Sequence, residues 1–389
     1  MTRIHGMDAL RAIAMLLGIV LHGVIAYRVF PNAAWPDDTY QWIGYDALYL
    51  WIHSFRMQVF FLVAGFFARL LYLRIGETAF LQHRVKRIVV PFVASVIVLV
   101  PFSIAPFLYY NYSEEQGMNA ASALSATGRG MLGWNGLVHL WFLYYLLMFY
   151  ATMIAATHLA KRMPIVKKVS SRLSFLADMT SPWAIVSIVG FIVAVLTVQG
   201  KLILEAYTGI KPDIAQFTYY GLFFWIGYWI HQRSYLIEKI STYAIPYLVI
   251  GSLLVLPLTY LYTVAHDVSQ PNYNVYVVLI RVVGACQTVL LVGGVLGGFI
   301  RFFTRENRAL RYISDAAYWL YLIHLPLVAW LQVWLLHGVL PGIFRFWIIT
   351  AITTFVALIT YQWMVRYTVI GNVLHGERRR TSRGQHLAK

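Results

Sequence analysis

Apolar runs about twenty residues long alternate with short polar connections along almost the whole chain. A hydrocarbon core of ~30 Å takes ~20 residues of helix to cross, so each run predicts a membrane-spanning helix. The runs fall near 9–29, 46–74, 88–110, 134–160, 183–200, 214–232, 243–264, 274–300, 315–337 and 343–366. The pattern predicts an all-α, polytopic transmembrane helix bundle of about ten spans. It forms one domain, 1–375, followed by a short basic tail, 376–389. The second run is long and is expected to break near Gly65. The first continues to Tyr27 without a small-residue cleavage site and reads as a retained signal anchor. The glycines of GGVLGG at 293–298 have small-xxx-small spacing inside a run, which predicts close helix packing and not a phosphate loop.

Charge gives these helices a direction. The net charge of +16 would suit nucleic acid in a soluble protein, but this chain is 60% hydrophobic and only 12% charged. Soluble domains carry roughly 25% charged residues. With the N-terminus inside, 24 of the 31 basic residues fall on cytoplasmic ends and loops. The positive-inside rule therefore predicts both termini in the cytoplasm and accounts for the charge without nucleic acid. The basic tail needs only anionic lipid headgroups as partners. The lone Cys286 excludes an intramolecular disulfide, and the sequence has no HExxH motif or Cys/His cluster to hold a metal.

Ionisable groups at membrane depth usually face a cavity or the bundle interior. In the first run Arg11 and His22 are eleven residues apart, which sets them on one helix face about 16 Å apart along the axis. Asp8, three residues before Arg11, is placed to pair with it. In IHSFRMQVFF, His53 and Arg56 are neighbours at i,i+3, and a buried guanidinium needs an anionic partner. His139 opens the run HLWFLYY, where Trp141 and the tyrosines suit an interfacial belt. Tyr318, Tyr321 and His324 follow at three-residue steps; Pro326 is expected to bend the helix beyond them, and Ser314 or Asp315 to cap its start. The predicted depths of His22, Arg56 and His324 coincide, as a shared cavity requires. Arg84 and Arg87, at the cytoplasmic entrance of the third span, read as a positive-inside anchor or a nucleotide-phosphate site.

Taken together, Arg11-x10-His22, FRMQVFFLVAG at 55–65, Arg84-x2-Arg87-Ile-x2-Pro91, HLWFL at 139–143 and the Tyr321–His324 segment resemble the membrane acyltransferase type 3 family. The matches lie in order along almost the whole chain. Ala64 departs from the pattern, since many relatives carry Ser in this FFxxSG segment. The resemblance implies a multi-pass protein of the bacterial inner membrane that uses acyl-CoA from the cytoplasm as donor substrate, with no permanently bound cofactor. The acceptor implied is a carbohydrate hydroxyl. HSFRMQVFF, GFF and HLWFL look most like a branch for which succinyl transfer to periplasmic glucans is implied, while other members acylate lipopolysaccharide, exopolysaccharide, peptidoglycan or small molecules.

On that resemblance His22 is the expected general base or acyl carrier, with Arg11 and Asp8 on the same helix. Arg56 is expected to bind an anionic acyl group or the oxyanion. His53, His139, Trp141, Tyr321 and His324 are expected substrate-binding residues, and Arg84 and Arg87 the acyl-CoA phosphate contacts. The residues by themselves leave two alternatives: a transporter of a saccharide or acylated metabolite, since polar midplane groups also mark permeation paths, and a structural membrane partner.

Overall fold

A computed structural model describes residues 5–30, 32, 35–336 and 338–376; the basic tail beyond Gly376 lies outside the described residues. Among these residues no strand occurs, and one isolated bridge joins Gly136 to Gly209. The α-helices are α1 (His5–Val24), α2 (Ile43–His53), α3 (Arg56–Ile75), α4 (Glu77–Arg84), α5 (Val90–Tyr110), α6 (Ala120–Leu132), α7 (Trp141–Arg162), α8 (Pro164–Leu173) and α9 (Pro182–Val198). They continue as α10 (Ile214–Gln232), α11 (Tyr235–Thr242), α12 (Ala244–Leu253), α13 (Val255–Val264), α14 (Tyr273–Phe302), α15 (Arg308–Leu335), α16 (Gly342–Thr360) and α17 (Val369–Leu374).

Eight segments of the described residues are long and apolar enough to cross a membrane: His5–Tyr27, Ile43–Ile75, Glu77–Glu115, Val138–Arg162, Ala244–Val264, Tyr273–Phe302, Arg308–Leu335 and Gly342–Val365. They coincide with eight of the ten expected runs. The other two runs are helical; the first of them makes a ninth span only if it is taken together with the bent segment before it, and the second is not apolar enough by itself. α9 has only 17 residues and follows Pro164–Ala177 at a bend of 102°. α10 has 19 residues, and its tyrosines and tryptophans lower its hydropathy.

The second span breaks at Ser54 and Phe55, between α2 and α3, and not at Gly65. Gly65 has a different role. A Cβ built on it would lie 1.9 Å from the Phe224 carbonyl oxygen, and one on Gly227 would lie 1.8 Å from that of Leu62. The two glycines let α3 and α10 touch backbone to backbone, which substitutes close packing for the hydrophobic drive that lipid does not supply. The expected packing of GGVLGG is found: a Cβ on Gly297 would meet the Ile240 carbonyl at 2.6 Å, and one on Gly294 the Leu248 nitrogen at 2.7 Å.

α15 begins at Arg308, seven residues earlier than expected. Its cap is the Asn307 side chain, which accepts from the N–H groups of Ala309 and Leu310 at 3.0 and 3.1 Å. Ser314 and Asp315 lie inside the helix and are not its caps. Pro326 lies inside α15, which continues to Leu335.

Two buried ion pairs that the apolar pattern did not reveal fix the connection between α1 and α2. Arg28 reaches Asp46 at 3.0 Å, with both side chains fully buried, and lies over the Tyr49 ring. Arg345 of α16 reaches Asp38 at 2.8 Å. Burial pushes the Asp38 carboxyl above its usual value despite the Tyr40 N–H and the Arg345 guanidinium. Removing one partner of such a pair strands a buried charge, at a cost of about 3–5 kcal/mol.

Candidate functional site

α1 packs along α15, α14 and α16, and this packing gathers the histidines. His22 lies in the last turn of α1, with its ring 5.1 Å from that of His324. His139, from the 3-10 turn Val138–Leu140, lies 5.6 Å from His324 and 5.5 Å from the Tyr321 ring. The expected convergence of His22 and His324 is therefore present. His22 reaches it from a helix end and not from the middle of one.

Proline chemistry explains how His139 is held. Pro326 has no N–H, so the carbonyl four residues earlier, Leu322, loses its helical donor. His139 Nε2 occupies that position, 2.9 Å from the Leu322 oxygen. A carbonyl only accepts, so Nε2 carries the proton and Nδ1 presents a lone pair. His324 Nδ1 likewise faces the carbonyls of Tyr321 and Leu320, at 2.8 and 3.0 Å, which leaves its Nε2 as the lone-pair nitrogen. The Tyr321 hydroxyl donates to the His139 carbonyl at 2.7 Å. Val138, just before His139, has φ of 49°, a costly value for a β-branched residue. His22 Nδ1, His139 Nδ1 and His324 Nε2 are all buried without a hydrogen-bond partner.

Arg56 completes the cluster from the start of α3. A Cβ on Gly18 would lie 2.1 Å from an Arg56 terminal nitrogen, so the guanidinium occupies the notch left by a missing side chain on α1. Gly18 is one turn before His22, on the same face. Arg56 contacts the Met57 sulfur at 3.4 Å, and its Nε is buried without a partner. Its charge acts on both His22 and His324. Among the described residues no carboxylate forms an ion pair with it.

The remaining expected residues divide between two ends. His53, across the helix break from Arg56, stacks on Tyr49 and its Nε2 faces the Leu204 carbonyl at 2.7 Å. It lines a lateral pocket with Gln58, Tyr219 and Thr288. Trp141 is buried against Phe61, Tyr145 and Tyr220, so it is core and not part of an interfacial belt.

At the opposite end Arg11 is exposed, and Arg84 reaches the Tyr150 hydroxyl at 3.4 Å. The charges of Arg84 and Arg11 both act on Tyr150. Arg87 is turned elsewhere by the π-helical turn Val85–Val89 and donates to the Val373 carbonyl at 3.3 Å. Asp8 lines a shallow hollow with Arg305 and Arg311. Between the two ends Tyr318 lies 6.4 Å from Tyr321, with its hydroxyl buried and unpartnered.

Sequence reasoning missed Gly18, Trp35 and Gln332. Trp35 stacks on His22, with ring centroids 5.6 Å apart and planes 12° from parallel. Its indole N–H donates to Gln332 Oε1 at 2.9 Å. A lone amide eight residues beyond His324 in an apolar run was a usable signal for Gln332. Trp35 lies in a loop, where no periodicity marks it.

No metal-binding group of three or more His, Cys, Asp or Glu occurs among the described residues. Buried imidazoles with unpartnered nitrogens lie beside a guanidinium that no carboxylate pairs with among the described residues, a set of groups able to exchange protons with a bound molecule. An acyltransferase domain family matches residues 4–362, and the chain belongs to that family of membrane acyltransferases. Over 149 residues it is 30% identical to the glucans biosynthesis protein C of Salmonella paratyphi B (strain ATCC BAA-1250 / SPB7), Salmonella heidelberg (strain SL476) and Salmonella schwarzengrund (strain CVM19633). That alignment covers 36% of this chain and 35% of each relative, so the chain spans about a third of the length of the curated relatives it matches. No solved structure matches it significantly.

Proposed function

We propose that this protein is an O-acyltransferase of the bacterial inner membrane, oriented with both termini inside, that moves an acyl group from cytoplasmic acyl-CoA to a hydroxyl of a periplasmic glucan or related carbohydrate. The observation that carries this reading is the Arg56 guanidinium, without a carboxylate partner among the described residues, lodged in the Gly18 notch one helical turn from His22. Family membership supplies the reaction class.

The donor enters at the Arg11 end. Arg84, with Arg11 beside the same tyrosine, meets the CoA phosphates, and Arg87 adds positive charge nearby. The pantetheine arm runs past Tyr150 and Tyr318 toward Tyr321, and the thioester reaches the histidines. His22 removes the proton from the acceptor hydroxyl as its oxygen attacks the thioester carbonyl. The C–S bond then breaks, and the imidazolium returns that proton to the departing CoA sulfur. His139 and His324 orient the acceptor through their lone-pair nitrogens. A buried cation without a counter-ion is costly, and the distal carboxylate of a succinyl group would remove that cost. Arg56 is thus the anchor of an anionic acyl group, and succinyl-CoA is the donor favoured here.

Purified protein in detergent, given labelled succinyl-CoA and glucan without any ion gradient, is expected to place label on the glucan. Gradient-driven uptake of saccharide with no acyl transfer would identify a carrier instead.

A further inference from the structure

His22 does not open onto free space at the end of α1; the Trp35 indole covers one face of its ring. Gln332, only 2% exposed, links the two residues. Its amide oxygen accepts the indole N–H at 2.9 Å, and its NH2 donates to the His22 and Gly23 carbonyls at 3.2 and 3.1 Å. The indole only donates and the carbonyls only accept, so these partners fix the orientation of the amide. The two carbonyls lie in the last turn of α1, where it passes into the 3-10 turn Ile25–Tyr27 and the regular α-helical donors end. A single side chain therefore sets both the backbone of the reacting histidine and the aromatic plane above it. Phe107 closes the far edge of the indole at 4.9 Å. On either side of Trp35 in the sequence, Arg28 and Asp38 are held by their ion pairs with Asp46 and Arg345.

We propose that Trp35 is the acceptor-positioning residue of this enzyme, with Gln332 setting its place. In the absence of acceptor it shields His22 from water, and an entering sugar ring displaces the indole from His22 and stacks its C–H face on it. This rests on the acyl-transfer reading. The physical basis is general. The flat, apolar face of a pyranose suits an indole, and stacking leaves the hydroxyls at the ring edge directed toward the base. Water kept from the site cannot compete with the sugar for the acyl group.

Two measurements on the full-length purified protein test this. The first needs no activity: carbethoxylation of His22 by diethyl pyrocarbonate, followed by peptide mass spectrometry. Trp35→Ala is expected to speed modification severalfold, with Trp35→Phe and Gln332→Ala intermediate; equal rates in all four proteins would overturn the shielding role. The second is the partition of succinyl-CoA between hydrolysis and transfer to glucan. Trp35→Ala is expected to raise the hydrolysed share and the KM for glucan while leaving the KM for succinyl-CoA unchanged, and Trp35→Phe to restore most of the transfer. Equal losses of hydrolysis and transfer at an unchanged glucan KM would overturn the positioning role. Should labelling shift as expected while the wild-type protein transfers nothing to glucan, the acyl-transfer reading fails and the acceptor role of Trp35 fails with it, whereas its shielding of His22 stands.

Discussion

The Arg56 guanidinium fills the space where a Gly18 side chain would stand, 2.1 Å from an ideal Cβ. This contact ties Arg56 to the helix that carries His22. The obstacle a new Cβ would meet is the far end of a flexible side chain, so Gly18→Ala is expected to fold. It is expected to displace the guanidinium and lower acyl transfer by about tenfold or more, in line with what small misplacements of catalytic groups cost. Size-exclusion profiles together with transfer rates check this.

Gly65→Ala and Gly227→Ala should behave in the opposite way. Their new methyls meet backbone carbonyl oxygens at 1.9 and 1.8 Å, which cannot move without separating α3 from α10. Thermal unfolding in detergent is expected to show a large drop in stability, and recovery of folded protein should fall with it.

Arg56→Gln tests the role of the charge. A residue that anchors a succinyl carboxylate should, when neutralised, weaken succinyl-CoA use by about 2–5 kcal/mol, the range for stranding one member of a buried charge pair, and leave acetyl-CoA use much less affected. Equal loss with both donors would assign Arg56 to the oxyanion instead.

The bond from His139 to Leu322 depends on a missing N–H. Pro326→Ala restores the helical donor to that carbonyl and sets it in competition with the imidazole. Transfer is expected to fall with little loss of stability, and the effects of Pro326→Ala and His139→Ala should be non-additive. A double-mutant cycle on the transfer rate reads this directly.

At the donor end Arg84 and Arg87 should separate. Arg84 faces Tyr150 on the proposed pantetheine path, whereas Arg87 is bonded to Val373. Arg84→Ala is expected to raise the KM for acyl-CoA and to flatten its salt dependence. Arg87→Ala should have the smaller effect on KM.

Much of this was legible before the structure. Apolar runs located the helices, and the eleven-residue spacing of Arg11 and His22 set both on one face of α1. Depth alone grouped His22, Arg56 and His324. What it could not show depends on contacts far apart in sequence. The notch at Gly18 is the absence of a side chain and has meaning only once Arg56 lies against it. The pairs Arg28–Asp46 and Arg345–Asp38 join residues whose proximity no local pattern encodes. Trp141 looked interfacial because a Trp near a span end usually is, but the packing of Tyr220 and Phe61 overrode that preference. The break of the second span was expected near Gly65, whereas it falls at Ser54 and Phe55 and Gly65 lacks a side chain because α10 packs there.

The central claim is that His22 carries the proton chemistry of acyl transfer. The most direct measurement compares His22→Ala with wild type, both purified and matched for folding, in transfer of labelled succinyl from succinyl-CoA to glucan. The account predicts a rate lower by at least about 10²-fold, the contribution expected of a positioned general base. Transfer by His22→Ala at the wild-type rate would contradict it.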